Sequence, residues 1–545
     1  MYNGIPIPSP WPPKVDVSDR TPKEVPYLVN PPAVIPIDVG RQLFVDDFLV
    51  EHTTLSRTYH HAEKYEANPI LSPETATERE ERSAEWTQYT GSHIATLFND
   101  GCWWDPKDKI FKLFYMTGWH GGTALACSRD GLHWERPDLG TGAPAPNQIL
   151  PEAYGVERNG STVWLDLRNG TRRYFLFMYH QQTAKQRLYV SPDGIHWQRQ
   201  GDAADGVGDN TSMFYNPFRK KWVYSIRINV KTRDPLNVDA RCRGYRECDE
   251  LESGMAQCKQ EMVPWAGADD LDRPDPAVTS LMPPDAEPSA RKDYGALPQL
   301  YNLDAIAYES LMLGIFNIHY GPENHICQSL GMPKVTQLQI AYSRDGFHWH
   351  RPDRTPFIAP TGKPGDWDRG YLHPASSVCA IVGDKLFFYY GAFSGQGDES
   401  HSGFVTGGGV GVAFLRRDGF ASMNADAGGG TLTSRVVTFN GKHLFVNADV
   451  GQGELRVEVL DPEGRVLAPF SKENCLSVTS DSTKQHVSWA GAADLAALSG
   501  KPVRFRFHLA SGKLYAFWVS PTLSGASHGY VAAGGPDFDG PMDVV

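Results

Sequence analysis

The sequence predicts an all-β protein, a five-bladed β-propeller followed by a C-terminal antiparallel β-sandwich. Three observations carry this. The phrase SRDGLHW at Ser128–Trp134 returns as SPDGIHW at Ser191–Trp197 and as SRDGFHW at Ser343–Trp349, with a shorter echo, RRDGF, at Arg416–Phe420. Between the copies lie short aromatic and aliphatic runs broken by polar turns, the pattern of one four-stranded blade per repeat. Helical periodicity is nearly absent, GAADLAALSG near residue 495 being the best short candidate.

The elements follow in order. Residues 1–35 are Pro-rich and extended, wrapping or disordered, and IDVGRQLFVDDFLVEH is expected to supply a strand that helps close the ring. Unit one reads GCWWDPKDKIFKLFYM and TALACSRDGLHW, unit two STVWLDLRNGTRRYFLFMYH and QRLYVSPDGIHW. Unit three offers SMFYNPFRKKWVYSIRI, unit four AIAYESLMLGIF, and unit five SSVCAIVGDKLFFYYGAF with GVGVAFLRRDGF. The third copy of the phrase is degraded within Tyr245–Trp265, so the units end near Trp134, Trp197, Trp265, Trp349 and Phe420. Asp and Gly in the phrase suit a hairpin turn, with Asp bonding local amides and Trp packing between blades. Asp130, Asp193 and Asp345 are therefore structural, not catalytic, candidates. The propeller is expected over 36–424. NADAGGG (Asn424–Gly430) reads as a linker, and 425–545 reads as the sandwich, from period-two runs such as ELRVEVLDPEGRVL and VRFRFHLASGKLYAFWVS.

A net charge of −12 argues against nucleic acid or an anionic membrane as partner, since either favours a basic face. The 14 Trp and 23 Tyr suit a neutral, ring-shaped ligand, so a carbohydrate is the expected partner. No apolar run approaches the roughly 18 residues of a membrane span. The N-terminus shows neither a basic nor an apolar signal region, which makes the cytoplasm the expected compartment unless a signal has been removed. The eight cysteines are scattered, without metal-ligand spacing, and are expected to be reduced.

In a propeller the innermost strands converge on one axis, so acids that open or precede those strands share a pocket. Unit one supplies Asp100 in FNDGCWWDP, and unit two, with RNGSTVWLD, supplies none. Unit three supplies Asp209 in VGDNTSMFY, and unit four Asp304 in YNLDAIAYE, with Glu309 farther along. Unit five supplies Asp366 and Asp368 in GDWDRGYLHPASS.

These motifs resemble the invertase and levanase group, glycoside hydrolase family 32, and its family 43 relatives. NDGCWWDPKDKIFKLFY looks like a shortened form of that group's first-blade motif, and the likeness runs over about 36–424. The resemblance implies that Asp100 is nucleophile or general base and that Asp209 stabilises the transition state. The family's acid motif is not cleanly present. Gln299 stands about where an acid is expected, leaving Asp304, Glu309 or Glu247 of YRECDE to serve. Glycoside cleavage passes through an oxocarbenium-like state that wants one protonated carboxyl and one carboxylate.

Trp103, Trp104 and Trp119, with Trp86 and Trp367, are candidates to stack on sugar faces. Glu309, Asp368 and His373 complete the expected substrate-binding set, His373 also being a minor candidate acid because related anhydro-galactosidases are thought to use His. His120, His180 and His319 are further pocket candidates. The acidic run at Asp269, Asp270, Asp272 and Asp275 lacks EF-hand spacing and reads as a solvated rim loop. GAFSGQGDESHSGFVTGGGVG is not a phosphate loop, because no helix follows, and reads as a mobile loop of unit five.

The expected function is an exo-acting glycoside hydrolase that removes terminal sugars, furanosides among them, from plant or algal oligosaccharides. No organic cofactor and no metal ligand set is expected, beyond a structural cation on the propeller axis. Two alternatives stand beside it. One is a phosphorylase using Arg246, Arg369 and His373, and the other is a sugar-binding propeller that has lost its acid.

Overall fold

The computed structural model describes residues 1–83, 89–150, 158–168, 173–202, 207–256 and 261–544. Five antiparallel sheets follow one another along the chain. The first comprises Ala95–Asp105, Ile110–Thr117 and Gly122–Ser128, and the second Arg158–Asp166, Arg173–His180, Lys185–Ser191 and Gln198–Asp202. The third comprises Ser212–Asn216, Lys221–Lys231, Asp239–Cys248 and Val263–Ala266. The fourth is built on Gln299–Glu309, Leu311–Gly321 and Val335–Ser343, the fifth on Gly370–Pro374, Lys385–Phe393 and Gly408–Arg416. The first strands of sheets one to four pack side by side. Gly370–Pro374 packs both on the fourth sheet and on Ala95–Asp105, so the sheets close into a ring. Every residue of Ala95–Asp105, Gln299–Glu309 and Leu311–Gly321 is buried. This is why these strands read as continuous apolar runs, without the alternation of a half-solvated strand.

The repeated phrase builds one turn three times. In the first copy Gly131 N donates to Ser128 Oγ (2.9 Å), while Leu132 N and His133 N donate to Asp130 Oδ1 (2.8 and 2.9 Å). His133 Nδ1 contacts Asp130 Oδ2 at 2.7 Å. Asp193 and Asp345 repeat these bonds. The glycine is required: Gly346 has φ 77°, and a Cβ there would collide with the side-chain amide of Asn216. The tryptophans pack between sheets, Trp134 on Tyr389 and Trp197 on Phe114. In the degraded third copy, the helix Leu251–Met255 stands where the turn would be.

Two further sheets lie outside the ring. One pairs Ser56–Tyr59, Ala421–Ala425, Gly512–Ser520, His443–Asp449 and Asp481–Val487, with Gln42–Leu43 joining Gly512–Ser520. The other pairs Val50–Thr53, Gly430–Ser434, Arg504–Ala510 and Glu454–Leu460. Burial along Arg504–Ala510 alternates strictly, so one face meets the shared core of Phe44, Phe439, Phe505, Phe507 and Phe517. Strand pairing crosses both expected boundaries. IDVGRQLFVDDFLVEH joins these outer sheets and not the ring, because Phe44, Phe48, Leu49 and Val50 are buried in their core. The ring is closed instead by Glu63–Lys64, which pairs with Gly408–Arg416. The expected linker at Asn424–Gly430 is the end of one strand, a turn and the start of the next. At the other terminus Tyr530–Val531 returns to the ring as a fourth strand beside Gln299–Glu309.

The first 35 residues run extended over the third and fourth sheets, Trp11 meeting Phe347 edge-on at 5.3 Å. Asn3 Nδ2 donates to the Arg344 carbonyl at 2.9 Å. The echo RRDGF departs from the other copies. Asp418, at φ 61°, accepts from Arg41 (2.8 Å), Tyr308 (2.6 Å) and Asn447 (2.9 Å), with no exposure. Arg41 also faces Glu309 at 3.4 Å, and Arg417 reaches Glu309 at 3.1 Å. Removing Arg41 leaves two buried carboxylates short of a partner. Arg41→Ala is therefore expected to lose about 3–5 kcal/mol of stability, read as a lowered urea midpoint.

Candidate active site

The inner strands do not run straight at the end where they begin. Register shifts interrupt the ladders at Thr96/Gly101, Arg158/Ser161, Leu300/Asn302 and Gly370/His373. Such bulges re-aim side chains. Four non-glycine residues there have positive φ: Asn99 (74°), His120 (48°), Asn210 (55°) and Tyr371 (50°). Positive φ also occurs at the opposite mouth, at Glu309 (49°), Val378 (58°) and Asp418 (61°), so it is the bulges that set this mouth apart.

Two carboxylates stand on these strands. Asp100, fully buried, accepts from Phe98 N (2.8 Å), from Arg158 Nη1 and Nη2 (2.8 and 3.2 Å) and from the Ser161 hydroxyl. Both of its oxygens are taken, and the adjacent guanidinium balances its charge. Asp304 differs. Its Oδ2 accepts from Asn99 and Asn302, both at 2.7 Å, while Oδ1 has no hydrogen-bond partner among the described residues. Burial pushes its pKa up to about 6, against the opposing pull of neighbouring hydrogen bonds and Arg243. Asn99 thus couples the two: its backbone adjoins Asp100 and its amide holds Asp304. Asp209 and Glu323 stand at the rim, about one-fifth exposed, facing Arg227 and Arg241 respectively.

Aromatic and cationic groups complete this end. The Tyr301 and Tyr371 hydroxyls share a 2.9 Å hydrogen bond. Lys334 Nζ lies 5.4 and 5.0 Å from their ring centroids, and the Arg241 guanidinium 4.9 Å from that of Tyr301. Burial works to raise the Tyr301 pKa, but Lys334, Arg241 and the Tyr371 bond outweigh it and bring the phenol down to about 8. His373 is fully buried, its ring 4.0 Å from Phe98 and 4.6 Å from Tyr371, and neither nitrogen bonds a described residue. Burial holds it neutral, well below the usual histidine range. Trp119 packs against His120 (4.1 Å) and Phe98 (6.0 Å). The arrangement offers a buried carboxyl able to give or take a proton near neutrality, beside a group of fixed cations.

Of the sequence-predicted residues, Asp100, Asp209, Asp304, Trp119, His120, His319 and His373 come together at this mouth. Glu247, Glu309, Asp368, Trp103 and Trp104 do not. Glu247 pairs in register with Val223, next to the far hairpin, and is held by Arg219 (2.7 and 3.1 Å) and Tyr245 (2.6 Å). Arg246 is beside it, bound to Glu261. Glu309 belongs to the buried network with Arg41 and Arg417 and also accepts from Ser527 at 2.6 Å. Asp368 binds Lys64 at 2.5 Å, anchoring the strand that closes the ring. Trp103 meets Trp164 (4.9 Å) and lines a cavity of about 450 Å³ at the opposite mouth. Trp104 is buried on Phe111 and bonds the tail at Ala533 through its backbone. Asp269 and Asp272 are bound by Arg351 and Arg354, not free at a rim, and Asp275 caps the helix Pro276–Thr279. Trp367 lines a separate cavity, and Trp86 lies outside the described residues. The residues that sequence reasoning missed are Asn99, Asn302, Arg158, Arg241, Lys334 and Glu323. Asn302 alone had a local signal, standing two residues before Asp304 and so on the same strand face.

No protein-family model and no curated protein sequence matches the chain. Among solved structures, it is similar to an N-acetylgalactosamine deacetylase from F. plautii, in complex with blood group B trisaccharide. That match has 13% identity and a TM-score of 0.39, and it covers 68% of this chain and 95% of that one. It is also similar to a glycosyl hydrolase from Bacteroides ovatus (11%, TM-score 0.38, 69% and 97% covered). A third is an exo-β-1,3-galactanase from Phanerochaete chrysosporium (10%, TM-score 0.31, 85% and 99% covered). At these scores the likenesses carry no argument about this chain.

Asp304 makes a stability prediction with a definite sign. Its folded pKa of about 6 lies above the ordinary 3.8. The native state therefore holds the proton longer than the unfolded chain, and the stability this confers is lost as pH rises from about 4 through about 6. Two pKa units correspond to roughly 3 kcal/mol. In Asp304→Asn that decline is expected to flatten, making the variant the more stable protein at pH 7 but not at pH 4, measured by urea unfolding across pH.

Proposed function

We propose that the ring of five sheets is a five-bladed β-propeller joined to a β-sandwich, and that its bulged mouth is the site of a glycoside hydrolase. The observation that carries this reading is Asp304, a buried inner-strand carboxyl with one unshared oxygen and a pKa moved up to about 6. Such a group is the proton donor that glycosidic cleavage requires. Asp209 at the rim is the second carboxylate. Asp100, closed by Phe98, Arg158 and Ser161, positions Asn99 and hence Asp304. In this reading Asp100 is a positioning residue rather than the nucleophile that the family resemblance implies. An exo-acting enzyme on terminal sugars of plant or algal oligosaccharides remains the substrate reading, supported by the aromatic cluster of Phe98, Trp119, Tyr301 and Tyr371 buried beneath this mouth.

A phosphorylase is the second reading, favoured by Arg227, Arg241 and Lys334 around Tyr301. Three cations beside an acid suit an attacking anion. The two readings divide on one additive: a phosphorylase turns over oligosaccharide only with inorganic phosphate present, and a hydrolase is indifferent to it.

Asp304→Asn is expected to lower kcat about 10²- to 10⁴-fold on whichever oligosaccharide or aryl glycoside the wild type cleaves, with its circular dichroism unchanged. With Asp304 as acid, wild-type kcat/KM falls as pH rises past about 6. Activity within threefold of wild type in Asp304→Asn would sink the assignment.

A further inference from the structure

The glycine-rich loop between Lys385–Phe393 and Gly408–Arg416 carries a histidine and an aspartate that face a second histidine at the start of the neighbouring first sheet. His93 immediately precedes the strand leading to Asp100. His93, Asp398 and His401 each offer a donor atom, and these atoms lie within 4.8 Å of one another. The geometry points to a transition-metal site of the zinc class, ligated by His93, Asp398 and His401, with Glu81 adjoining His401.

The argument begins with the loop. Asp398 Oδ1 accepts from Ser400 N (2.8 Å), His401 N (2.9 Å) and Ser400 Oγ (2.9 Å), and His401 Nδ1 lies at 2.8 Å. One carboxylate oxygen is thereby spent on shaping the turn, and Oδ2 is left to face His93 Nε2 at 3.5 Å. Two donors bound to one tetrahedral ion at about 2.0–2.1 Å stand about 3.3–3.5 Å apart, so this pair already has the separation of ligands. His401 Nε2 and Glu81 Oε2 are spaced alike, at 3.4 Å. The two imidazole rings have centroids 5.3 Å apart and are tilted by 47°, converging without stacking.

The backbone permits this approach only as glycine. A Cβ on Gly397 would come within 2.6 Å of His93 Nδ1, and one on Gly407 would strike the Gln396 carbonyl. Bonds from Gly407 N to Ser92 O (3.1 Å) and from Gly408 N to His93 O (2.8 Å) hold the loop against the His93 backbone. Two imidazoles and one or two carboxylates are the mixed nitrogen and oxygen set that favours zinc-class ions over calcium or magnesium. None of these residues belongs to the proton-transfer group around Asp304, and the proposal does not depend on the hydrolase reading.

The ion would clamp the loop of the fifth sheet to the start of the first sheet. His93 and Asp398 also line a cavity of about 550 Å³ shared with Arg79, Gln396 and Trp367, so a three-ligand ion would present its open position there. Oxygen donors such as vicinal hydroxyls or a carboxylate are the ligands such an ion takes.

The test uses the full chain, stripped with chelator and titrated with Zn²⁺ by calorimetry, with Co²⁺ as a spectroscopic probe. One equivalent of Zn²⁺ is expected to bind, and Co²⁺ is expected to give the intense visible band of a tetrahedral site. His401→Ala and Asp398→Asn should each weaken binding at least about tenfold. His401→Ala changes a partly buried loop residue and is expected to keep the metal-free melting temperature, which separates ligand loss from misfolding. Failure of wild type to bind Zn²⁺, or binding unchanged in the His93→Ala/His401→Ala double variant, would overturn the proposal.

Discussion

The architecture turns on a buried ion-pair network at the mouth of the ring opposite the candidate site. Glu309 ends the inner strand of the fourth sheet, and Arg417 and Asp418 form the turn from the last ring strand, Gly408–Arg416, to the outer-sheet strand Ala421–Ala425. Arg41 comes from the N-terminal segment, Asn447 from the outer sheets, and Ser527 and Asp543 from the tail. Burying so many charges is costly, and their attraction offsets that cost only where the remaining lone pairs and protons find partners. Here Tyr308, Asn447 and Ser527 supply them. The network joins the two chain ends, the ring and the outer sheets at one point. It also holds one end of Gln299–Glu309, the strand that carries Asn302 and Asp304 at its other end.

Environment, not residue type, separates the two inner-strand carboxylates. Asp100 and Asp304 are both aspartates, both fully buried, and linked through Asn99. Arg158 lies directly on Asp100, and donors fill both of its oxygens. The nearest charge to Asp304 is Arg243, which is engaged by Asn210 and Asn302. With amides rather than a cation as its direct partners, Asp304 feels burial most strongly and keeps its proton to higher pH.

The two mouths of the ring are built differently. One is bulged on four inner strands, with Lys334 and Arg241 beside the Tyr301 ring. The other is crossed by Tyr530–Gly534, which pairs with Glu309 and bonds Trp104 and Ile381 through its backbone. Aromatic residues occur at both, so a tryptophan near an inner strand does not by itself indicate a sugar site. Trp103 and Trp164 pack at the tail-covered end and Trp119 at the open-work end, a difference set by which end of a strand each residue occupies.

Much was legible from local pattern. The Ser-x-Asp-Gly turns work through bonds within four residues, so Asp130, Asp193 and Asp345 could be read as structural from their phrase alone. Buried central strands showed as unbroken apolar runs, and Asp209 does precede an inner strand, whereas Asp100 and Asp304 stand inside theirs. What sequence could not determine was pairing between distant segments. IDVGRQLFVDDFLVEH has the apolar pattern of a strand, but only the competition between two cores decides that it joins the outer sheets while Glu63–Lys64 closes the ring. Glu247 and Glu309 resemble catalytic acids in composition, and their arginine partners come from turns and segments remote in sequence. Arg241 and Lys334 reach Tyr301 from separate elements, Glu323 reaches Arg241 from a third, and His93 meets Asp398 and His401 only because ring closure makes the first and fifth sheets neighbours. Contacts made by neighbours in sequence are written in the chain, whereas a pKa, an ion pair or a ligand set depends on what else arrives within a few ångströms, and that is decided only when the ring closes.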